Sequence, residues 1–329
     1  MNRVKSIIRK FPVIRDLIYE RDKFHKELVQ LKLEHEKLTE ANRHTSEELN
    51  HTKIAQGFVP PGHFYSPIPD FEEIKKNATR IFNSMGKVPG IELNADSQRE
   101  LLEKFLPFYK DIPFTSEAKE GLRYKYENPA YSYSDAIFLH CMIRFLEPKR
   151  IIEVGSGYSS CMTLDTNELH FENRIKTTFI EPYPKLLHSL LKDGDQDRIT
   201  IIPERLQDVN MQEFSALQAN DILFIDSTHV SKIDSDVNKI LFEILPALAS
   251  GVYIHFHDIF FPFEYPMDWV LEGRAWNEAY ALRAFLQYNR EFNIVLMNSY
   301  IGELNKEFFT KKLPLCQKNP GGSIWLKRQ

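Results

Sequence analysis

The chain is poor in cysteine. Only Cys141, Cys161 and Cys316 occur in 329 residues. They are isolated, odd in number and never in a CxxC pair, so neither a disulfide framework nor a zinc site is implied. A reducing, cytoplasmic compartment is the expectation. Long apolar runs are also missing. None reaches the roughly 18–20 residues of a membrane span, and the amino terminus lacks the continuous apolar core of a signal peptide. Neither export nor a transmembrane segment is expected. Strong net charge is absent too: −4 overall and a pI near 6.3 give no basic field for nucleic acid, and no such partner is expected. The local exception is the first fifteen residues, where Arg3, Lys5, Arg9, Lys10 and Arg15 accompany Val4, Ile7, Ile8, Phe11 and Ile14. That pattern suits a peripheral contact with an anionic membrane surface or a solvated basic helix end.

Between Val13 and Lys53 there is neither glycine nor proline, and Leu17, Phe24, Leu31 and Leu38 recur every seven residues, with Leu28 on the adjoining seam. This spacing predicts a long helix with a coiled-coil stripe. Arg21, His35 and Asn42 on the alternate seam weaken the coil and mark it as a dimerisation or spacing device. A homo-oligomer joined through this helix is expected. The stretch GFVPPGHFYSPIPD, from Gly57 to Asp70, breaks it with clustered proline and glycine. Amphipathic stretches follow over Asp70–Met85, Asp96–Tyr109 and Ser134–Leu146. The expected organisation is therefore an amino-terminal helix over 1–56, a linker and helical cap over 57–130, and a catalytic domain over 131–329.

From Arg150 onward, short β-type runs alternate with amphipathic ones: RIIEV, TTFIE, ITII, DILFID and GVYIHF. Alternation of this kind predicts an α/β fold with a largely parallel sheet, right-handed crossovers and helices on both faces. Ligands then bind at the carboxyl ends of the strands. The first run ends in Glu153-Val154-Gly155-Ser156-Gly157, followed by Tyr158 and Ser159 at the start of a helix. The glycines permit a tight turn and close approach of backbone to a ligand, beside free helix N–H groups. The second run ends in Glu181, placed to accept both hydroxyls of a ribose. The fourth delivers Asp226 and His229, and the fifth His255, His257 and Asp258. Asp226 and Asp258 should converge at the reactive end of a cofactor. A divalent cation such as magnesium would relieve the repulsion between them.

The glycine loop of form E-x-G-x-G and the acid after the second strand resemble those of class I S-adenosylmethionine-dependent methyltransferases over about Tyr131 to Arg328. The resemblance implies a Rossmann-like seven-stranded sheet, with GGSIWLKR as an antiparallel final strand. It also implies S-adenosylmethionine as cofactor, bound by Glu153, Gly155, Gly157, Tyr158, Ser159 and Glu181, with Gln207 and Asp208 near the adenine. The D-x-x-H spacing of Asp226 and His229, with a later acid, is similar to that of metal-dependent O-methyltransferases acting on macrolide sugars. By that likeness Asp226 and Asp258 bind the metal and His229 removes the proton of the acceptor hydroxyl, a role its ordinary pKa suits. His257 replaces the second acid of that family, as a further ligand or as scaffold, and His255 is expected in the core.

The phrases GHFYSPIPD, DSTHV, HDIFFPFEYP and RAWNEAYALRAFL also resemble bacterial methyltransferases of polysaccharide and secondary-metabolite assembly. The expected function is methyl transfer to a sugar hydroxyl of a bacterial glycan or glycosylated metabolite. Tyr65, Phe263, Glu264, Tyr265, Arg274 and Trp276 are the expected acceptor contacts, aromatics stacking on the sugar and polar groups reaching its hydroxyls. The competing readings are an iron-dependent hydroxylase using His255 and His257, a nicotinamide enzyme, disfavoured by the absent third glycine, and a non-catalytic coiled-coil scaffold.

Overall fold

The structure is a computed structural model that describes residues 12–83 and 86–329, with the side chains of the first helix described to residue 47. Most of the basic amino-terminal stretch and the end of the Asp70–Met85 stretch lie outside the described residues. The chain divides into two compact units, Met1–Glu73 and Ile74–Gln329. Among the described residues no helix is long and apolar enough to cross a membrane.

In the first unit a continuous helix runs from Pro12 to Gln56. Its apolar stripe is open: Leu17, Phe24, Leu31 and Leu38 are all more than 60% exposed. The Asp70 carboxylate accepts the N–H groups of Glu72 and Glu73 at 2.9 and 3.2 Å, capping the short helix Phe71–Lys76 as its position predicts.

The second unit is a seven-stranded sheet of order β3-β2-β1-β4-β5-β7-β6. Its strands are β1 Arg150–Val154, β2 Lys176–Ile180, β3 Thr200–Ile202, β4 Ile222–Ile225, β5 Tyr253–His257, β6 Phe292–Met297 and β7 Ser323–Arg328. β1 to β5 pair in parallel, and β7 enters antiparallel between β5 and β6. The period of two divides each strand between two cores. Ile152, Val154, Leu223, Ile225, Ile254 and Phe256 pack on one face. Ile151, Ile222, Phe224 and Trp325 pack on the other, against the helix Tyr133–Leu146. With both faces covered, the parallel strands read as unbroken apolar runs, and each fully buried Phe or Leu contributes about 1.5–3 kcal/mol.

The boundary between the two units, Glu73 to Ile74, falls within the segment expected as linker and helical cap over 57–130. The helix Ala95–Lys110 is tied to β6 by Gln98, whose Oε1 accepts the Met297 N–H at 2.8 Å. Arg123, almost wholly buried, binds Asp165 and Glu168 of the helix Tyr158–Phe171 as well as Asp195. A buried cation is tolerable only with such partners, so this cluster fastens the segment before β1 to the helix that follows the glycine loop.

Candidate active site

The loop after β1 approaches the end of β4 closely. Gly155 has φ +76°, and a Cβ there would lie 2.1 Å from the Asp226 carbonyl oxygen. Only glycine meets both the left-handed backbone and the contact. Glu153, fully buried, accepts the hydroxyls of Ser159 and Ser160 at 2.6 and 2.8 Å. Burial pushes its carboxyl up to about 8, against those two hydrogen bonds. Glu153 and Ser159 thus brace the loop from behind, and Tyr158 packs against the core. At the end of β2 the Glu181 carboxylate reaches back across the cleft. It accepts the Ser156 N–H at 3.3 Å and the Tyr183 N–H at 2.8 Å. Gln207 and Asp208 sit in the turn after β3, where Gln207 donates to the Asp234 carbonyl and Asp208 pairs with Arg205. Glu153 Oε2 and Ser156 Oγ are buried without partners. Unspent polar atoms beside a glycine loop and a ribose-height carboxylate fit a bound nucleoside cofactor.

Beyond this cleft, the ends of β4 and β5 bring together the predicted acids and histidines. His229 Nε2 lies 3.3 Å from Asp226 and 3.6 Å from Asp258. Its Nδ1 is 2.8 Å from Glu278, a residue only 1% exposed. Ligand atoms of Asp226, His229 and Asp258 all lie within 4.8 Å of one another, a spacing suited to one cation. His257 stands beside the group, 3.4 Å from Asp226 and 3.7 Å from both Asp135 and Asp258. Asp135, from the helix Tyr133–Leu146, is itself held by Asn298, Gly322 and Ser323. His229 and Asp258 both take left-handed backbone, φ +59° and +58°, a strained geometry that aims the two side chains at one point.

Electrostatics follow from this packing. Burial opposes the charge on His229, yet Asp226 and Glu278 more than offset it and push the imidazole up to about 10. His257 is buried as well and is raised by Asp226 and Asp258. Burial likewise opposes ionisation of Asp226, but the two histidines hold its carboxyl well below the usual range. Asp258 is pushed up by burial, partly countered by the same histidines. A divalent cation among the carboxylates would substitute for charge that protons on the histidines otherwise supply.

Next to these groups a cavity of about 520 Å³ is lined by Asp135, Asp226, His257, Asp258, Phe260, Trp269 and Arg274, among others. Of the expected acceptor contacts, Arg274 therefore faces the cavity, its guanidinium over Trp269 at 4.2 Å and paired with Glu272. Trp276 covers the His229 ring, with centroids 4.3 Å apart. Glu264 accepts the Tyr280 hydroxyl. Phe263 and Tyr265 are 0% and 3% exposed, and Tyr265 uses its hydroxyl to accept the Ala279 N–H. They are core residues, because the chain folds back at this point and turns both rings inward. Tyr65 belongs to the first unit, exposed and in ring contact with His63 and Phe64. His255 is fully buried, stacked on Phe224 at 4.0 Å and beside Tyr131. Burial and the neighbouring His257 keep it neutral, a core role as expected and unsuited to an iron triad. Phe260 and Trp269, read from the sequence as part of an aromatic loop for the acceptor, do line the cavity, whereas Glu278, read as a further acceptor contact, lies behind His229, and Asp135 behind His257 was not anticipated.

A family model described as a methyltransferase domain matches residues 152–259, the span from β1 through the end of β5. A protein of Archaeoglobus fulgidus described as uncharacterized is 34% identical over 170 residues, half of this chain and 75% of its own length. Among solved structures, the SAH-bound methyltransferase PaMTH1 of Podospora anserina aligns with a TM-score of 0.41 at 14% identity, covering 80% of this chain and 99% of that one. The SAM complex of the O-methyltransferase TomG from Streptomyces achromogenes aligns with a TM-score of 0.40 at 13% identity, covering 77% and 96%. On the family match over residues 152–259 and a sheet whose last strand enters antiparallel between β5 and β6, the chain carries a methyltransferase domain of the class I S-adenosylmethionine-dependent kind.

Proposed function

We propose that the protein transfers a methyl group from S-adenosylmethionine to a hydroxyl of a saccharide acceptor, with help from a divalent cation. One observation carries this reading. Asp226 belongs to both halves of the site: its carbonyl lies against Gly155 of the cofactor loop, and the residue lines the cavity where an acceptor would sit. When bound, the cofactor supplies an electrophilic methyl group and the cation supplies Lewis acidity toward a hydroxyl oxygen. Glu181 and the loop Gly155–Gly157 hold the nucleoside, while Asp226 and Asp258 hold the cation. With a cation in place of the proton that Asp226 and Glu278 otherwise hold on the imidazole, His229 would be free to take the hydroxyl proton on Nε2, its Nδ1–H oriented by Glu278. Phe260 and Trp269 offer aromatic surface to a sugar ring, and Arg274 and Asp135 offer polar groups at the rim.

A second reading of His229 is favoured by the donor spacing. With its Nε2 within 4.8 Å of both carboxylates, it serves as the third ligand, and Glu278 then forms the outer shell common behind metal-bound histidines. Purified protein is incubated with S-adenosylmethionine and a panel of nucleotide sugars and oligosaccharides, with magnesium or with chelator, and read by mass spectrometry. Gain of one methylene on a saccharide, lost on chelation, is expected. Failure to methylate any saccharide overturns the acceptor class, and chelator-resistant turnover overturns the cation. His229→Ala separates the two roles: a base loses turnover with cation binding kept, whereas a ligand loses both.

A further inference from the structure

The helix Pro12–Gln56 carries an apolar seam that its own unit leaves uncovered. Leu17, Phe24, Leu31 and Leu38 form one row at seven-residue intervals, 65%, 62%, 64% and 64% exposed. Ile14 and Leu28, 43% and 52% exposed, belong to the alternate row with Arg21, His35 and Asn42. Tyr19, Val29 and Leu33 are exposed outside these rows, but the strict seven-residue recurrence has a spacing of 3.5 rather than the 3.6 of a helix laid on a globular core. It matches a seam that stays in register only against another supercoiling helix.

The flanking charges select the partner. With Leu17, Phe24, Leu31 and Leu38 as d positions, Glu20, Glu27 and Glu34 occupy g, and Ile18, His25, Lys32 and Thr39 occupy e. In a parallel pair of identical helices, each g residue meets the e residue five positions on in the partner. Glu27 then faces Lys32, and Glu20 faces His25. An antiparallel pair of the same helices sets the glutamate row against itself instead. Asn42 at an a position is a further device that fixes parallel, in-register pairing at some cost in stability. We infer that this helix is the self-association surface of the protein, pairing with a second copy as a parallel, in-register, two-stranded coiled coil.

The test uses the full chain in three arms. Light scattering after size exclusion should give twice the 38.7 kDa of one chain, falling to one chain in Leu31→Asp while cofactor binding is kept. A wild-type mass of one chain, or of three or more, overturns the inference. Leu17→Cys should form an intermolecular disulfide under mild oxidation. The native cysteines are buried, and Leu17 meets its own copy only in parallel register, so a dimer without this cross-link means antiparallel pairing and overturns it. Glu27→Lys should raise the dimer dissociation constant several-fold, and Glu27→Lys with Lys32→Glu should restore it. A double variant no tighter than the single overturns the proposed charge register.

Discussion

His229 is held on every side. Its carbonyl accepts the N–H groups of Asn277 and Glu278 at 3.0 and 3.1 Å, its own N–H donates to Ser227, and its ring lies under Trp276. Glu278 adds the side-chain bond to Nδ1 and accepts the Ser227 hydroxyl at 2.8 Å. This clamp holds Nε2 toward the carboxylates whichever role the imidazole plays, and it explains how a non-glycine residue stays at φ +59°. Glu278→Gln keeps the volume and removes the charge, so it tests orientation and electrostatics without opening a cavity. Turnover should fall about 10–100-fold with the dissociation constant for S-adenosylhomocysteine unchanged. The acidic limb of the pH–rate profile should move to lower pH, because one of the groups that raise His229 is gone. Unchanged turnover and an unmoved limb would remove Glu278 from the mechanism. Asp226, His229 and Asp258 were readable in advance because a parallel sheet gathers its strand ends. The place of Glu278 behind His229 was not, since 49 residues separate the two and only the packing of the helix Glu278–Leu286 brings them together.

At the level of elements, the junction of the β1 loop with β4 is the least forgiving contact. Gly155→Ala must resolve both a left-handed φ and a Cβ 2.1 Å from a backbone oxygen that cannot rotate away. Gly157 lies in extended backbone, and its added Cβ would meet only Leu186 Cδ2 at 3.3 Å, a flexible neighbour. Denaturant unfolding should show Gly155→Ala destabilised by about 3 kcal/mol or more and Gly157→Ala by about 1 kcal/mol or less. Equal losses would mean that the close approach does not govern this loop. β1 to β5 and β7 were legible because each is a short apolar run after a polar break. β6 was not located: FNIVLM follows QYNRE without glycine or proline, and its Phe, Ile, Val, Leu and Met suit a buried helix turn as well as a strand. Its bulge between Ile294 and Leu296 also breaks strict alternation. Phe263 and Tyr265 misled for a related reason, because an aromatic residue names the company it prefers but not the side of the chain it faces.

For the molecule as a whole, the site sets how stability responds to pH. Glu153 titrates near 4.5 when exposed and near 8 when folded, so the unfolded chain releases its proton first. Stability from this group is complete below about pH 4.5, declines as pH rises, and is gone above about pH 8. His229, raised to about 10 by its carboxylates, stabilises the fold below its unfolded pKa near 6.5 and loses that contribution as pH rises through 10. Asp226, lowered by the histidines, has the opposite sign: its contribution is present above the unfolded carboxylate pKa and is lost only in acid. Between about pH 5 and 6.5 the Glu153 contribution therefore dominates the slope, and above pH 6.5 His229 adds a loss of the same sign. Glu153→Gln keeps an acceptor for Ser159 and Ser160 and cannot ionise. Thermal unfolding should show the wild type losing about 2 kcal/mol between pH 5 and 6.5 while the variant stays nearly flat there, with both declining through His229 above pH 6.5 and the variant falling less steeply. Parallel curves for the two proteins would mean that the buried carboxyl at the cofactor loop carries no excess proton, and that the loop is braced by an ionised Glu153.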